Sequence, residues 1–325
     1  MKRGTVKRIL FLFVFICLAC SSEERPVVPG DPPVHILFVG NSYTYYNSLP
    51  QMVGAMARHA FPGRRIETKF VGSGGATLKQ LWKTGKALTE IKTGNWEYVV
   101  LQEQSMLGTA VVENGKRYFG SPQTFFSYAQ KFAWVIKSHG AEPVFFMTWS
   151  RQEHPDQQKY LTYAYMHIAK ELRSKVAPAG MVWDRIRRDS TINLYQKDGS
   201  HPTVYGSYLA AATLFATIFD TRPTGLPGRL EGHQILRGGR LSPEKSLLCN
   251  LNAKETGVIQ NAVAGIFEKM QNNNGYLEVQ KAVSDKRRCC PISSPYSLRH
   301  RDKPLFYWSL PSSFWPPKAS GNLEC

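Results

Sequence analysis

Short apolar runs, each closed by glycine or polar residues and followed by a segment with helical spacing, recur along this chain from Val34 onward. The first, Val34 to Val39, stops at Gly40-Asn41-Ser42, and apolar periodicity resumes at Leu49, which predicts strand, tight turn and helix. Ile66 to Val71 predicts a second strand; it ends in Gly72-Ser73-Gly74-Gly75-Ala76-Thr77 and leads into Leu78, Leu81 and Trp82 at helical spacing. A third run, Trp96 to Leu101, passes into Gln102-Glu103-Gln104-Ser105. The pattern then predicts a helix over Pro122 to Ser138, a fourth strand over Pro143 to Thr148 and a helix from about Asp156 to Lys175. A short fifth strand is expected at Met181 to Trp183, an apolar helix at Tyr208 to Phe219, and a further helix from near Ala253 until Asn272-Asn273-Asn274-Gly275 breaks it. Strands alternating with helices predict an α/β fold, a central and mostly parallel five-stranded sheet covered by helices on both faces as a three-layer α/β/α sandwich.

The ends do not share this pattern. Lys2, Arg3, Lys7 and Arg8 precede the apolar run Ile9 to Ala19, which is short for a membrane span and has the layout of a secretory leader. Cys17-Leu18-Ala19-Cys20 and the polar residues after it resemble a bacterial lipoprotein signal with Cys20 as the lipidated residue. Cys17 stands where such signals usually have leucine, which leaves a plain secretory leader as the alternative. The expected organisation is a leader at 1–20, a tether rich in proline and acid at 21–33, one domain at 34–271 and an irregular or disordered tail at 272–325. This places the domain outside the cytoplasm, held to a membrane by its lipid anchor alone, or secreted or periplasmic if the leader is simply cleaved. From about Lys286 the tail follows neither period, which fits a genuine tail or an out-of-frame reading equally.

Composition narrows the function classes. Of 325 residues 42% are hydrophobic, enough for a substantial core, while the formal charge of +17 is high. Residues 1–25, with five basic against two acidic side chains, and residues 276–325, with eight against four, carry +7 of it. No nucleic-acid-binding signature accompanies the rest, so nucleic acid is not an expected partner. Of six cysteines only Cys249 lies outside the leader and the tail, so neither a disulfide framework nor a zinc spacing is predicted. The glycine-rich turn at 72–77 lacks the Gly-Lys-Ser/Thr ending of a phosphate-binding loop and the spacing of a dinucleotide fingerprint; no cofactor is expected.

The candidate chemistry lies where strands end. Ser42 sits on the first strand-to-helix turn, at the carboxyl edge where open α/β sheets bind ligands. Asp198 and His201, in Lys197-Asp198-Gly199-Ser200-His201-Pro202, stand three residues apart. A carboxylate at that separation can accept the Nδ1 hydrogen of the imidazole and leave Nε2 free to take a proton from a hydroxyl.

Taken together these blocks resemble the SGNH, or GDSL-type, hydrolase superfamily, in the branch that reads G-N-S in its first block and D-G-x-H-P in its last. The resemblance covers about Val34 to Phe219. It implies Ser42 as nucleophile, His201 as general base, Asp198 as its orienting acid, and an oxyanion hole formed by the N–H groups of Ser42 and Gly75. The third block departs from the usual G-x-N-D: here Leu101-Gln102-Glu103-Gln104-Ser105 offers no asparagine, so Gln104, or failing that Gln102, is the expected third donor. The implied reaction is ester hydrolysis through an acyl-enzyme, with an acylated small molecule or a carbohydrate O-acetyl ester as substrate. A carbohydrate-binding envelope lipoprotein without catalysis is the alternative.

Overall fold

The computed structural model describes residues 32–107, 110–113 and 116–272. The expected leader with Cys20, the expected tether up to residue 31 and the expected tail from residue 273 lie outside the described residues. The chain opens with β1 (Val34–Gly40), the single turn α1 (Ser42–Tyr45), α2 (Leu49–Ala60), β2 (Ile66–Gly72), α3 (Leu78–Thr84) and α4 (Lys86–Thr93). It continues through β3 (Tyr98–Leu101), a backbone hairpin of β4 (Ala110–Glu113) and β5 (Lys116–Phe119), α5 (Pro122–Ser138), β6 (Glu142–Phe146) and α6 (Gln158–Leu172). The last part holds β7 (Lys175–Ala177), α7 (Ala179–Asp189), α8 (Val204–Phe219), the antiparallel pair β8 (Arg229–Ile235) and β9 (Leu241–Asn250), and α9 (Ala253–Gln271).

Five strands form one parallel sheet in the order β2-β1-β3-β6-β7. The alternation of β1 divides the core. Ile36 and Phe38 face a cluster built with α2, α7, α8 and α9, while Leu37 and Val39 face a second cluster built with α3, α4, α5 and α6. The three layers follow from that two-sided burial, which suits a parallel sheet. Chain direction through the sheet reverses between β1 and β3, one going to β2 and the other to β6. The crevice outside the carboxyl ends of strands at such a switch is where open α/β sheets bind ligands, and Ser42 follows β1 there.

One expected strand is corrected. Met181 to Trp183 lies in α7, and the fifth strand is Lys175–Ala177. Val182, Trp183 and Ile186 fall on one buried helical stripe, a pattern that a three-residue window reads equally well as strand. The true strand has three residues and runs along the edge of the sheet, too short to show a period. The preceding helix stops at Leu172 because Arg173 turns left-handed, with φ of 47°, which releases Lys175 into the sheet. The β8–β9 pair, outside the main sheet, has no counterpart among the sequence expectations.

Candidate active site

The turn after β1 is shaped by sterics. A Cβ on Gly40 would collide with Thr44 Oγ1 and with the amide oxygen of Gln102, so the strand can end this close to its neighbour only as glycine. Asn41 then caps the helical turn: its Oδ1 accepts from Tyr43 N at 3.0 Å, and its own N–H donates to Gln102 Oε1 at 2.8 Å. Its Nδ2 donates to the carbonyl of Ala76 at 2.9 Å. Asn41 therefore ties the turn that carries Ser42 to the turn that carries Gly75. An aspartate could cap equally well but has no N–H to give. Asn41→Asp is expected to set a carboxylate against the Ala76 carbonyl and cost about 1–3 kcal/mol, read as a lowered midpoint in thermal unfolding. An unchanged midpoint would show that the tie carries no weight.

Asn47 and Ser48 both have left-handed backbones, φ 50° and 56°, and break the chain between α1 and α2. The strained pair is held from outside. Asn47 Nδ2 donates to Pro202 O at 3.2 Å and to Ser207 Oγ at 2.9 Å, and Ser48 Oγ accepts from Ile235 N at 2.9 Å. Through Asn47 the elbow reaches the loop that carries Asp198 and His201.

On that loop the Asp198 carboxylate is fully used. Oδ1 accepts from the backbone N–H groups of Ser200 and His201, both at 2.9 Å, and Oδ2 lies 2.5 Å from His201 Nδ1. His201 Nε2 lies 2.9 Å from Ser42 Oγ. With Nδ1 as the protonated nitrogen facing a carboxylate, Nε2 is the acceptor for the serine hydroxyl. Burial pushes the Asp198 carboxyl up, but the hydrogen bonds from the His201 ring and from two backbone N–H groups outweigh it, and the net effect is a lowered pKa. Asp198 is thus ionised wherever His201 needs it. The Ser42 residue is 7% exposed, while the His201 side chain is 26% exposed, so the pair opens to solvent on the side of the imidazole.

Aromatic side chains hold the loop in place. Tyr43, Trp149 and Trp183 stack in a column, with centroids 4.7 and 3.9 Å apart. From that column Tyr43 OH meets Ser200 Oγ at 2.7 Å, and Trp149 Nε1 donates to Ser200 O at 3.0 Å. Tyr46 lies flat on the His201 ring, 4.4 Å away and 19° from parallel, and Tyr43 meets the same ring at 5.8 Å edge-on. Gln152 N donates to Gly199 O at 2.8 Å, and Tyr195 OH donates to Ser150 O at 2.9 Å, so the segment after β6 grips the loop at two further points.

The remaining predicted residues follow β2 and β3. Gly75 is exposed and left-handed, with φ of 64°, in the turn whose next residue is held by Asn41. Gln102 is wholly buried, and its amide is committed: Oε1 accepts from Asn41 N and from Thr44 Oγ1 at 2.8 Å each, and Nε2 donates to Glu103 O. It braces the elbow from below. Gln104 is half-buried, with Oε1 accepting from Met106 N at 2.6 Å.

Between them, Glu103 is a buried carboxylate. It accepts from Leu78 N at 3.2 Å and Gln104 N at 2.7 Å, and its own N–H donates to Tyr165 OH at 2.9 Å. Burial raises its pKa to about 7 against the pull of those two N–H groups. The folded value lies above the ordinary glutamate value of 4.5, so the native state binds the extra proton between them and stability falls as pH rises through that window. The expected result is a thermal midpoint that drops from about pH 4.5 to about pH 7 by more in the parent than in Glu103→Gln, in which the decline flattens. Equal slopes in the two proteins would place the charging elsewhere.

Sequence reasoning overlooked Tyr43, Tyr46, Asn47, Trp149, Ser200 and Glu103. The signals were present in part: Tyr43 and Tyr46 lie one and four positions after Ser42, and Trp149 follows β6 at the same sheet edge.

The fold is the one the SGNH resemblance implied. No family model matches the chain, and no curated relative is found. Among solved structures, a candidate SGNH hydrolase from Slackia heliotrinireducens is similar at 25% identity, over 57% of this chain and all of that one, with a TM-score of 0.48. A variant of an acetyl-xylooligosaccharide esterase from Geobacillus is similar at 12% identity over 59% of this chain and 96% of the other, with a TM-score of 0.47. A lipase/acylhydrolase from Enterococcus faecalis is similar at 16% identity over 66% of this chain and all of that one, with a TM-score of 0.46.

Proposed function

We propose that this protein is a serine esterase that works through an acyl-enzyme at Ser42. The observation that carries the reading is the unbroken relay from Asp198 to His201 at 2.5 Å and from His201 to Ser42 at 2.9 Å. In the first half-reaction Ser42 Oγ attacks the ester carbonyl carbon while His201 Nε2 takes its proton. The carbonyl oxygen becomes an oxyanion facing the N–H groups of Ser42 and Gly75, with Gln104 as the third donor. The intermediate collapses as the C–O bond to the alcohol breaks, and His201 returns the proton to the departing oxygen. Water, deprotonated by His201, then attacks the acyl-enzyme, and Ser42 leaves with the proton restored. Asp198 stays ionised throughout and stabilises the imidazolium.

The substrate we infer is a short acyl ester, an O-acetyl group on a carbohydrate. Tyr46, which stacks on the His201 ring, and Tyr45, which stacks on Tyr46 at 6.0 Å, are both partly exposed and support this reading, since aromatic side chains beside the base suit a sugar ring on the alcohol side of the ester. The leader supports a site of action outside the cytoplasm, with Cys20 as the lipid anchor. A fluorophosphonate probe should label the parent and leave Ser42→Ala unlabelled, and the parent should release acetate from a peracetylated monosaccharide. A parent that takes up no probe and cleaves no short acyl ester overturns the reading and leaves a binding protein on the same fold.

A further inference from the structure

The distance between the N–H of Ser42 and that of Gly75 must be held firmly if both are to meet one oxyanion, because such donors act through preorganisation. Asn41 Nδ2 on Ala76 O supplies one tie, on the side of β1. The turn leaves β2 at Gly72, which pairs with Gly40 of β1, and closes on itself through Ala76 N to Ser73 O at 3.3 Å, so what remains to be fixed is its far end. The other end of the turn is the start of α3, a helix of seven residues that offers little stiffness of its own. There Thr77 caps Gln80 N, and the first helical N–H, that of Leu78, is left for a partner outside the helix.

Glu103 is that partner. It comes from the end of β3, the strand next to β1 in the sheet, and its backbone is fixed by Tyr165 of α6. A carboxylate in such a place is costly compared with an apolar residue of similar size, so its presence calls for a role in what it holds. Its two oxygens take N–H groups from two different segments, Leu78 after the glycine turn and Gln104 after β3. A neutral amide could accept only one of them and would turn its own NH2 against the other.

We propose that Glu103 is a positioning residue for the oxyanion hole, anchoring the start of α3 to the end of β3 and so holding Gly75 opposite the N–H of Ser42. The inference rests on the esterase reading above. It assigns the third block a brace, with Gln102 under the elbow and Glu103 under the glycine turn, in addition to any donor it supplies.

The test is Glu103→Gln, measured by steady-state kinetics on p-nitrophenyl acetate and by amide hydrogen exchange across residues 73–81. Exchange in that segment is expected to quicken relative to the parent, with kcat about 10- to 100-fold lower and KM within about twofold, since loss of alignment acts on the transition state more than on substrate binding. Unchanged exchange overturns the tether, and quicker exchange with unchanged kcat overturns its catalytic role. If Glu103→Gln does not fold, Tyr165→Phe, which removes the acceptor of the Glu103 N–H and leaves the carboxylate intact, carries the same two measurements. Failure of the esterase reading is recognised separately: the parent then shows no turnover that depends on Ser42, whereas failure of this proposal alone leaves parent and variant equally active.

Discussion

Replacing Ser42 with alanine is expected to lower kcat on a short acyl ester by about 10⁴- to 10⁶-fold while leaving the fold unchanged. The hydroxyl removed is the one His201 Nε2 faces at 2.9 Å, so no acyl-enzyme can form, and only binding and the backbone donors remain to assist water. Because nucleophile and base act as a unit, His201→Ala should cost a similar factor, and the double variant little more than either alone. Additive losses would mean the two side chains serve separate steps. Thermal unfolding of Ser42→Ala close to that of the parent separates lost chemistry from lost structure. A residual rate within about tenfold of the parent would remove Ser42 as nucleophile.

The second large effect is expected at Asp198→Asn, about 10³- to 10⁴-fold in kcat. Asparagine keeps the size of the side chain but has one carbonyl oxygen where aspartate has two acceptors, and three N–H groups converge on the aspartate: Ser200 N, His201 N and His201 Nδ1. If the amide oxygen stays with the backbone, the NH2 faces Nδ1, which favours the tautomer protonated at Nε2, and the imidazole then presents a hydrogen to Ser42 Oγ instead of a lone pair. The carboxylate is 49% exposed, so water can soften the loss, and the lower end of the range is the one to expect. Steady-state kinetics at saturating substrate measure this, with Asp198→Ala as comparison. An Asp198→Asn enzyme at nearly parental kcat would show that the loop geometry alone orients His201.

The parts of this site that were legible in the sequence are those with local signatures. Gly40-Asn41-Ser42 announces a strand-to-helix turn because an apolar run ends in a glycine, and Asp198 and His201 pair within one short loop, where three residues of spacing suffice to fold a carboxylate onto a ring. Four of the five sheet strands were legible for a similar reason, as apolar runs bounded by turn residues. What stayed hidden is long-range. That Asn41 must be an amide depends on Ala76, 35 positions away, and the place of Glu103 depends on Leu78, 25 positions before it, and Tyr165, 62 positions after it. Gln102 and Gln104 showed their amides in the sequence but not their partners. Only packing reveals that Gln102 is already committed to Asn41, Thr44 and Glu103. β7 was missed because three residues at a sheet edge carry no period, and the apolar stripe of α7 lay close by to be mistaken for it.

Ser42 and His201 are 159 positions apart, one on the first βα unit and the other on the loop before α8. A chain still emerging from synthesis therefore carries Ser42 as an ordinary hydroxyl. In the esterase reading it gains a reactive one only after nearly two-thirds of the sequence has been made and the loop before α8 has docked at the carboxyl edge of the sheet. In the esterase reading, reactivity at Ser42 is a late marker of folding, acquired with a contact that spans about half of the sequence and unavailable to any fragment that ends before His201.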